Sequence, residues 1–136
     1  METTEWIQLG ALLVSIIVLI IMIINFNNQM KLSFFAEYTK RYQEIMLNLP
    51  EGINTNSVAY NDSSERVRRY LRAYIDLCSE EFYLHQNRKI HHKVWENWEQ
   101  GIKASFQLNL FNEAWEHFDK TSYPEFYIWI TKEIIR

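Results

Sequence analysis

Residues 7–24 read IQLGALLVSIIVLIIMII. Nothing in this stretch ionises, and with the uncharged polar run behind it nothing ionises between Glu5 and Lys31. A helix of that length, at roughly 1.5 Å per residue, rises about 27 Å, close to the roughly 30 Å of bilayer hydrocarbon. The core helix of a soluble domain carries a polar face at this length, and this one has none. A transmembrane helix is expected here, with the rest of the chain held beside a membrane.

The flanks give an orientation. Glu2 and Glu5 precede the span with no basic residue, whereas Lys31, Lys40 and Arg41 follow it. The positive-inside rule then puts Met1 outside and the body of the protein in the cytoplasm, with Trp6 as an outer interfacial anchor. The acidic start, the long apolar run and the lack of a small-x-small site after it do not fit a cleaved signal. Two parts are expected: a tail and span over residues 1–30, and a cytosolic domain over 31–136.

All 14 Lys and Arg and 15 of the 17 Asp and Glu lie after the span. The cytosolic part is thus near neutral, so bulk charge names no partner and DNA is not expected to be one. A single cysteine, Cys78, permits no internal disulfide and suits a reducing compartment. Three Gly and two Pro favour helices over a strand-and-turn fold. Five Trp, eight Tyr and eight Phe point to an aromatic core, an aromatic binding surface, or both.

Beyond the span no Pro or Gly intervenes until Pro50, so the first helix is expected to continue to about Asn48. Phe26, Met30, Phe34, Tyr38, Tyr42 and Ile45 make a stripe along it at helical spacing. Pro50 and Gly52 end it, and the Asn- and Ser-rich residues that follow read as a loop. A second helix is expected from Asp62 or Ser63, with Asp62 and Glu65 as a capping box, to about Gln86. Its stripe is Val67, Tyr70, Leu71, Tyr74, Cys78, Glu81 and Phe82. Asn87 is expected to take the left-handed conformation that closes it. Further helices are expected over about 91–106 (Val94, Trp95, Trp98, Ile102 inward), over about 110–120 (Phe111, Trp115, Phe118), and after Ser122, with Glu125 its capping partner and Pro124 in its first turn. That last helix carries Phe126, Tyr127, Ile130 and Ile134. The predicted class is all-α: one long membrane helix carrying a small helical bundle.

Two basic clusters stand out. Arg66, Arg68, Arg69 and Arg72 cover a broad helical surface, and their forked guanidinium groups suit phosphate. Tyr70 and Tyr74 beside them offer rings on which bases stack. The alternative is a solvated face paired with Asp62, Glu65 and Asp76. Arg88, Lys89, His91, His92 and Lys93 form the second cluster, a phosphate contact or simply an exposed turn. A metal is not expected: adjacent His91 and His92 cannot share a helical face, and Glu81 with His85 is an isolated pair. Cys78 reads as core packing rather than a nucleophile. Glu80 and Glu81 read as surface carboxylates rather than general acids, and no enzyme is expected. Within the span, Gln8 and Ser15 lie nearly on one face and suit an axis shared by several copies.

Glu80-Glu81, Leu84, a short basic turn, Ile90, Trp95-x-x-Trp98, Gly101-Ile102 and Trp115 resemble a pattern in small bacterial membrane proteins with one span and a helical cytosolic domain. The match covers about residues 70–118, with Asn87 and Arg88 where such turns often hold Gly. The layout also resembles the membrane effectors of type III CRISPR systems, in which a short span carries a small domain that binds cyclic tetra-adenylate. That resemblance implies a bacterial inner-membrane effector of antiviral signalling. The two basic clusters are then its ligand site, a cyclic oligonucleotide its partner, and a homo-oligomer, a tetramer for a four-fold ligand, its assembly. The other expectation is a membrane-anchored scaffold that recruits a protein through its aromatic face. Neither reading requires a cofactor.

Overall fold

The computed structural model describes residues 2–118 and 120–134. Met1, and Asp119 within the expected fourth helix, lie outside them. All regular structure among the described residues is helical. Helix α1 runs unbroken from Thr3 to Leu47. Its capping box is Glu2 with Glu5, the Glu2 backbone N–H donating to the Glu5 carboxylate at 3.1 Å. The helix continues through residue 30 without a break. The change there is in burial: residues 2–29 are exposed throughout, and partly buried residues begin at Met30. Of the expected stripe, Tyr38 and Ile45 are buried and Phe34 half-buried, whereas Phe26 and Tyr42 are exposed.

Helix α1 ends where its sequence can no longer continue it. Asn48 Nδ2 donates to the Glu44 carbonyl at 2.8 Å, and Pro50 follows. The expected loop contains a 3-10 turn, Glu51–Thr55, closed by Asn56 in the left-handed region at φ 53°. The Asn56 side-chain oxygen then accepts from the Asn109 backbone N–H at 2.9 Å and so caps a helix 53 residues away.

Helix α2, Glu65–Gln86, starts later than expected. Ser64, not Asp62, is its N-cap, the Ser64 Oγ accepting from the Val67 N–H at 3.2 Å. At the other end Arg88, not Asn87, takes the left-handed conformation, at φ 56°. Lys89 N–H bonds the Leu84 carbonyl at 2.9 Å, a six-to-one closure with Ile90 buried just beyond it. Helices α3 (His92–Phe106), α4 (Asn109–Glu116) and α5 (Pro124–Glu133) complete the bundle. Tyr123 rather than Ser122 stands at the N-cap of α5, with no side-chain hydrogen bond there.

Helix α2 is central, packing on α1, α3, α4 and α5. A helix surrounded in this way buries more than a stripe. Ile75, Leu77 and Leu84 are buried beside Leu71, Tyr74, Cys78 and Phe82. Trp115 is wholly enclosed, with Phe106, Phe126, Tyr123 and Tyr127 around it at centroid distances of 5.7–6.5 Å. Phe82, Trp95, Phe126 and Trp129 form a second ring cluster.

The cross-links between α1 and α2 fix their sense. Asn48 pairs with Arg66, and Tyr38 and Arg41 pair with Glu80, so the helices are antiparallel. The C-terminal end of α2 therefore points back toward the apolar half of α1.

Candidate functional site

The four arginines of α2 do not form one site. Arg66 donates to Asn48 Oδ1 at 2.8 Å and lies over the Tyr70 ring at 5.9 Å. Arg68 turns toward the preceding loop, donating to the Tyr60 and Asn61 carbonyls at 3.3 and 2.9 Å with the Tyr60 ring beneath it at 5.0 Å. Arg72 stands over Phe118 at 5.5 Å. Arg69 pairs with Glu65 at 2.7 Å on an open surface, where such a pair contributes little. Arg68 thus acts as a strut for the loop, and Arg66 as a tie between α1 and α2. Tyr74 is buried, donates its hydroxyl to Ser105 Oγ at 2.7 Å and packs at 4.7 Å on Phe111, so it does not stand on the arginines' surface. Only Arg66, Arg69 and Tyr70 share an open depression, of about 560 Å³.

The second cluster lies elsewhere. Sixteen residues of roughly 1.5 Å rise separate Arg72 from Arg88, about 24 Å along the α2 axis. The two groups cannot close on one small anion within a single copy. Arg88, Lys89, His91, His92 and Lys93 are all exposed. His92 meets Glu96 at 3.1 Å, and Arg88, Lys89 and Lys93 have no acidic partner among the described residues. From the Tyr38–Glu80 contact, eight residues forward on α2 and eight back on α1 place this basic turn level with Met30 and Lys31. It therefore forms the end of the bundle that faces the apolar half of α1. Of the two polar groups in that half, Ser15 Oγ donates to the Ala11 carbonyl at 2.8 Å and is satisfied within its own helix. Gln8 is exposed.

Glu80 and Glu81 part company. Glu80 is exposed and accepts from Arg41 at 2.6 and 3.4 Å and from the Tyr38 hydroxyl at 2.9 Å. Burial alone would raise its pKa, but these donors hold it below the usual range. In turn, burial and the Glu80 carboxylate push Tyr38 up to about 12. Glu81, expected at the surface, is only 6% exposed. It makes no hydrogen bond or ion pair to another described residue. Burial raises its pKa to about 8, with Arg41 opposing and Glu80 reinforcing the rise.

This difference has a measurable effect. From about pH 5 to 8 the folded chain retains a proton on Glu81 that the unfolded chain has lost, so Glu81 erodes stability as pH rises. At about 1.36 kcal/mol per unit, the shift from 4.5 to about 8 corresponds to a few kcal/mol. Thermal melts of wild type and Glu81→Gln at pH 5 and pH 8 isolate it: the variant is expected to gain stability over wild type at pH 8 and little at pH 5. An equal difference at both pH values would refute the assignment.

Cys78 is fully buried and its thiol is pushed up by that burial, so it is unreactive packing. No metal-binding cluster occurs among the described residues. Spacing gave no sign of two features that link distant segments: the Tyr38–Arg41–Glu80 cluster and the Asn56 cap on α4. Tyr123, which donates to Asp76, is a third link of the same kind. No family model, curated protein or solved structure matches this chain.

Proposed function

We propose that the protein is a single-span membrane effector. In this reading the first half of α1 crosses the bacterial inner membrane, and the bundle stands on the cytoplasmic face. The observation that carries it is the continuity of α1: one 45-residue helix is wholly exposed and apolar in its first half and docked on α2 in its second. A change in bundle packing is transmitted to the span without a hinge. A ligand shifts that packing only by the difference in its affinity for the two arrangements. The basic turn of Arg88, Lys89 and Lys93 then faces the inner leaflet, where each cation near anionic lipid gains about 1 kcal/mol.

The activator we propose is a phosphate-rich second messenger of the cyclic oligoadenylate class. A single copy offers it only the Arg66–Arg69–Tyr70 depression, so the site belongs to a ring of copies, a tetramer for a four-fold ligand. The second reading is a scaffold that recruits a protein without a nucleotide. It is favoured by the engagement of Arg68, Arg72 and Tyr74 within the fold.

Full-length protein in lipid nanodiscs separates the two. The effector reading expects a multimer by native mass measurement and micromolar calorimetric binding of cyclic tetra-adenylate. Arg66→Glu with Arg69→Glu abolishes that binding and leaves the helix content unchanged. A monomer that ignores cyclic tetra-adenylate leaves the scaffold.

A further inference from the structure

A cavity of about 290 Å³ opens between α1, α2 and α3, apart from both basic clusters. Its wall includes the rings of Tyr42, Tyr74 and Trp98, and Glu81 lies in it with Asn97 and Gly101. The Glu81 residue is only 6% exposed, has no protein partner among the described residues, and its carboxyl group opens into this cavity; the cavity is therefore where a partner for it would sit. The cation that would serve, Arg41, is committed twice over to Glu80, at 2.6 and 3.4 Å. Neither Tyr42 nor Asn97 supplies a hydrogen bond. Tyr74 spends its hydroxyl proton on Ser105. Gly101 is exposed, and a Cβ there would meet nothing within 4 Å beyond its own helix, so the cavity opens to solvent at that edge.

A carboxyl group without a protein partner, opening into a cavity walled by aromatic rings, is the chemistry that receives an organic cation. The carboxylate supplies the counter-charge, and the ring faces attract an ammonium or guanidinium group by their quadrupoles. We infer that this cavity is a binding site for a small organic ammonium or guanidinium compound, with Glu81 as its anion and Trp98 and Tyr42 as its walls. A lipid headgroup is not the source of that cation. Thr39, on the cavity wall, lies fifteen residues beyond Ile24, about 22 Å along α1 from the end of the apolar run. The ligand therefore arrives from solution. This inference is independent of any nucleotide at the arginine face.

The charged and titratable groups around Glu81 are Arg41 on α1, Glu80 and the buried Cys78 thiol on α2, and the hydroxyls of Tyr42 and Tyr74. The α3 residues lining the cavity, Asn97, Trp98, Gly101 and Ile102, carry no charge. An arriving cation meets a carboxyl group that must ionise to pair with it, so binding near neutral pH releases a proton.

The test uses full-length protein in detergent micelles, with benzylammonium and phenylguanidinium as cationic probes and benzyl alcohol as the neutral one. Trp fluorescence reads occupancy. Calorimetry in two buffers of different ionisation enthalpy reads the proton. The expected result is binding of at least one cationic probe at least tenfold tighter than benzyl alcohol, with proton release at pH 7. In Glu81→Gln, which keeps the shape and the helix content, both the cation preference and the proton release disappear. A melting curve taken alongside establishes that the variant is folded. The proposal is overturned if neither cationic probe binds at millimolar concentration, if cation and alcohol bind equally, or if folded Glu81→Gln retains the preference.

Discussion

If the first half of α1 spans a membrane, as proposed, replacing Ile16 and Ile20 with arginine is expected to remove the protein from it. Each arginine at the centre of a span costs about 2.5–3.5 kcal/mol, and each lost isoleucine forfeits a few tenths more. The pair therefore costs about 6–8 kcal/mol, enough to reverse insertion. Both positions lie in the part of α1 that is exposed along its whole length, so the bundle keeps its core. The measurement is the fraction that resists alkaline carbonate extraction, with far-ultraviolet circular dichroism to confirm that helices remain. Wild type stays in the pellet and the double variant leaves it. A double variant that resists extraction as well as wild type would mean that the apolar stretch is not what holds the chain to the bilayer.

Trp115→Ala is expected to be the most damaging single change in the bundle. The ring is fully enclosed, and its removal leaves a void among Phe106, Tyr123, Phe126 and Tyr127. Large-to-small changes of this kind cost about 3–5 kcal/mol, against a total stability of about 5–15 kcal/mol. A second variant distinguishes packing from polarity. The indole Nε1–H is buried without a hydrogen-bond partner among the described residues, a penalty already present in the wild type. Trp115→Phe retains most of the ring contact and removes that orphan donor, so it costs much less than alanine. Thermal melts of full-length protein, followed by near-ultraviolet circular dichroism, check both. Equal losses for Phe and Ala would contradict the account, as would an alanine variant that melts like wild type.

The parts of this fold that were legible in the sequence are those set by local pattern. The uncharged run of residues 7–24 and the lack of Pro or Gly before Pro50 led to one long first helix, and it ends at Leu47. Aromatic spacing located α3, and Ser122, Glu125 and Pro124 the start of α5, to within one or two residues. What escaped reading depends on which elements meet. Ile75, Leu77 and Leu84 fall off the expected α2 stripe and are buried, because that helix is enclosed by four others. The cap of α4 comes from Asn56, a residue no local signature connects with Asn109.

The candidate sites divide the same way. Periodicity showed that the four arginines share a helix, but not that Arg68 bonds the loop before it while Arg66 reaches Asn48. Nor could spacing separate Glu80 from Glu81. One turns to Arg41 and the open surface, the other into a cavity among rings, and the only hint was that Glu81 fell on the apolar stripe.

The orientation of α1 is the claim on which the effector reading rests, and cysteine labelling measures it directly. The only native thiol, Cys78, is buried and does not compete. Glu2→Cys and Arg69→Cys place single exposed thiols before the span and on the bundle. With a membrane-impermeant maleimide on spheroplasts, Cys at position 2 is expected to react at once, and Cys at position 69 only after the membrane is opened. Labelling of position 69 in sealed spheroplasts, or protection of position 2 until lysis, would contradict a span that carries the bundle on the cytoplasmic face.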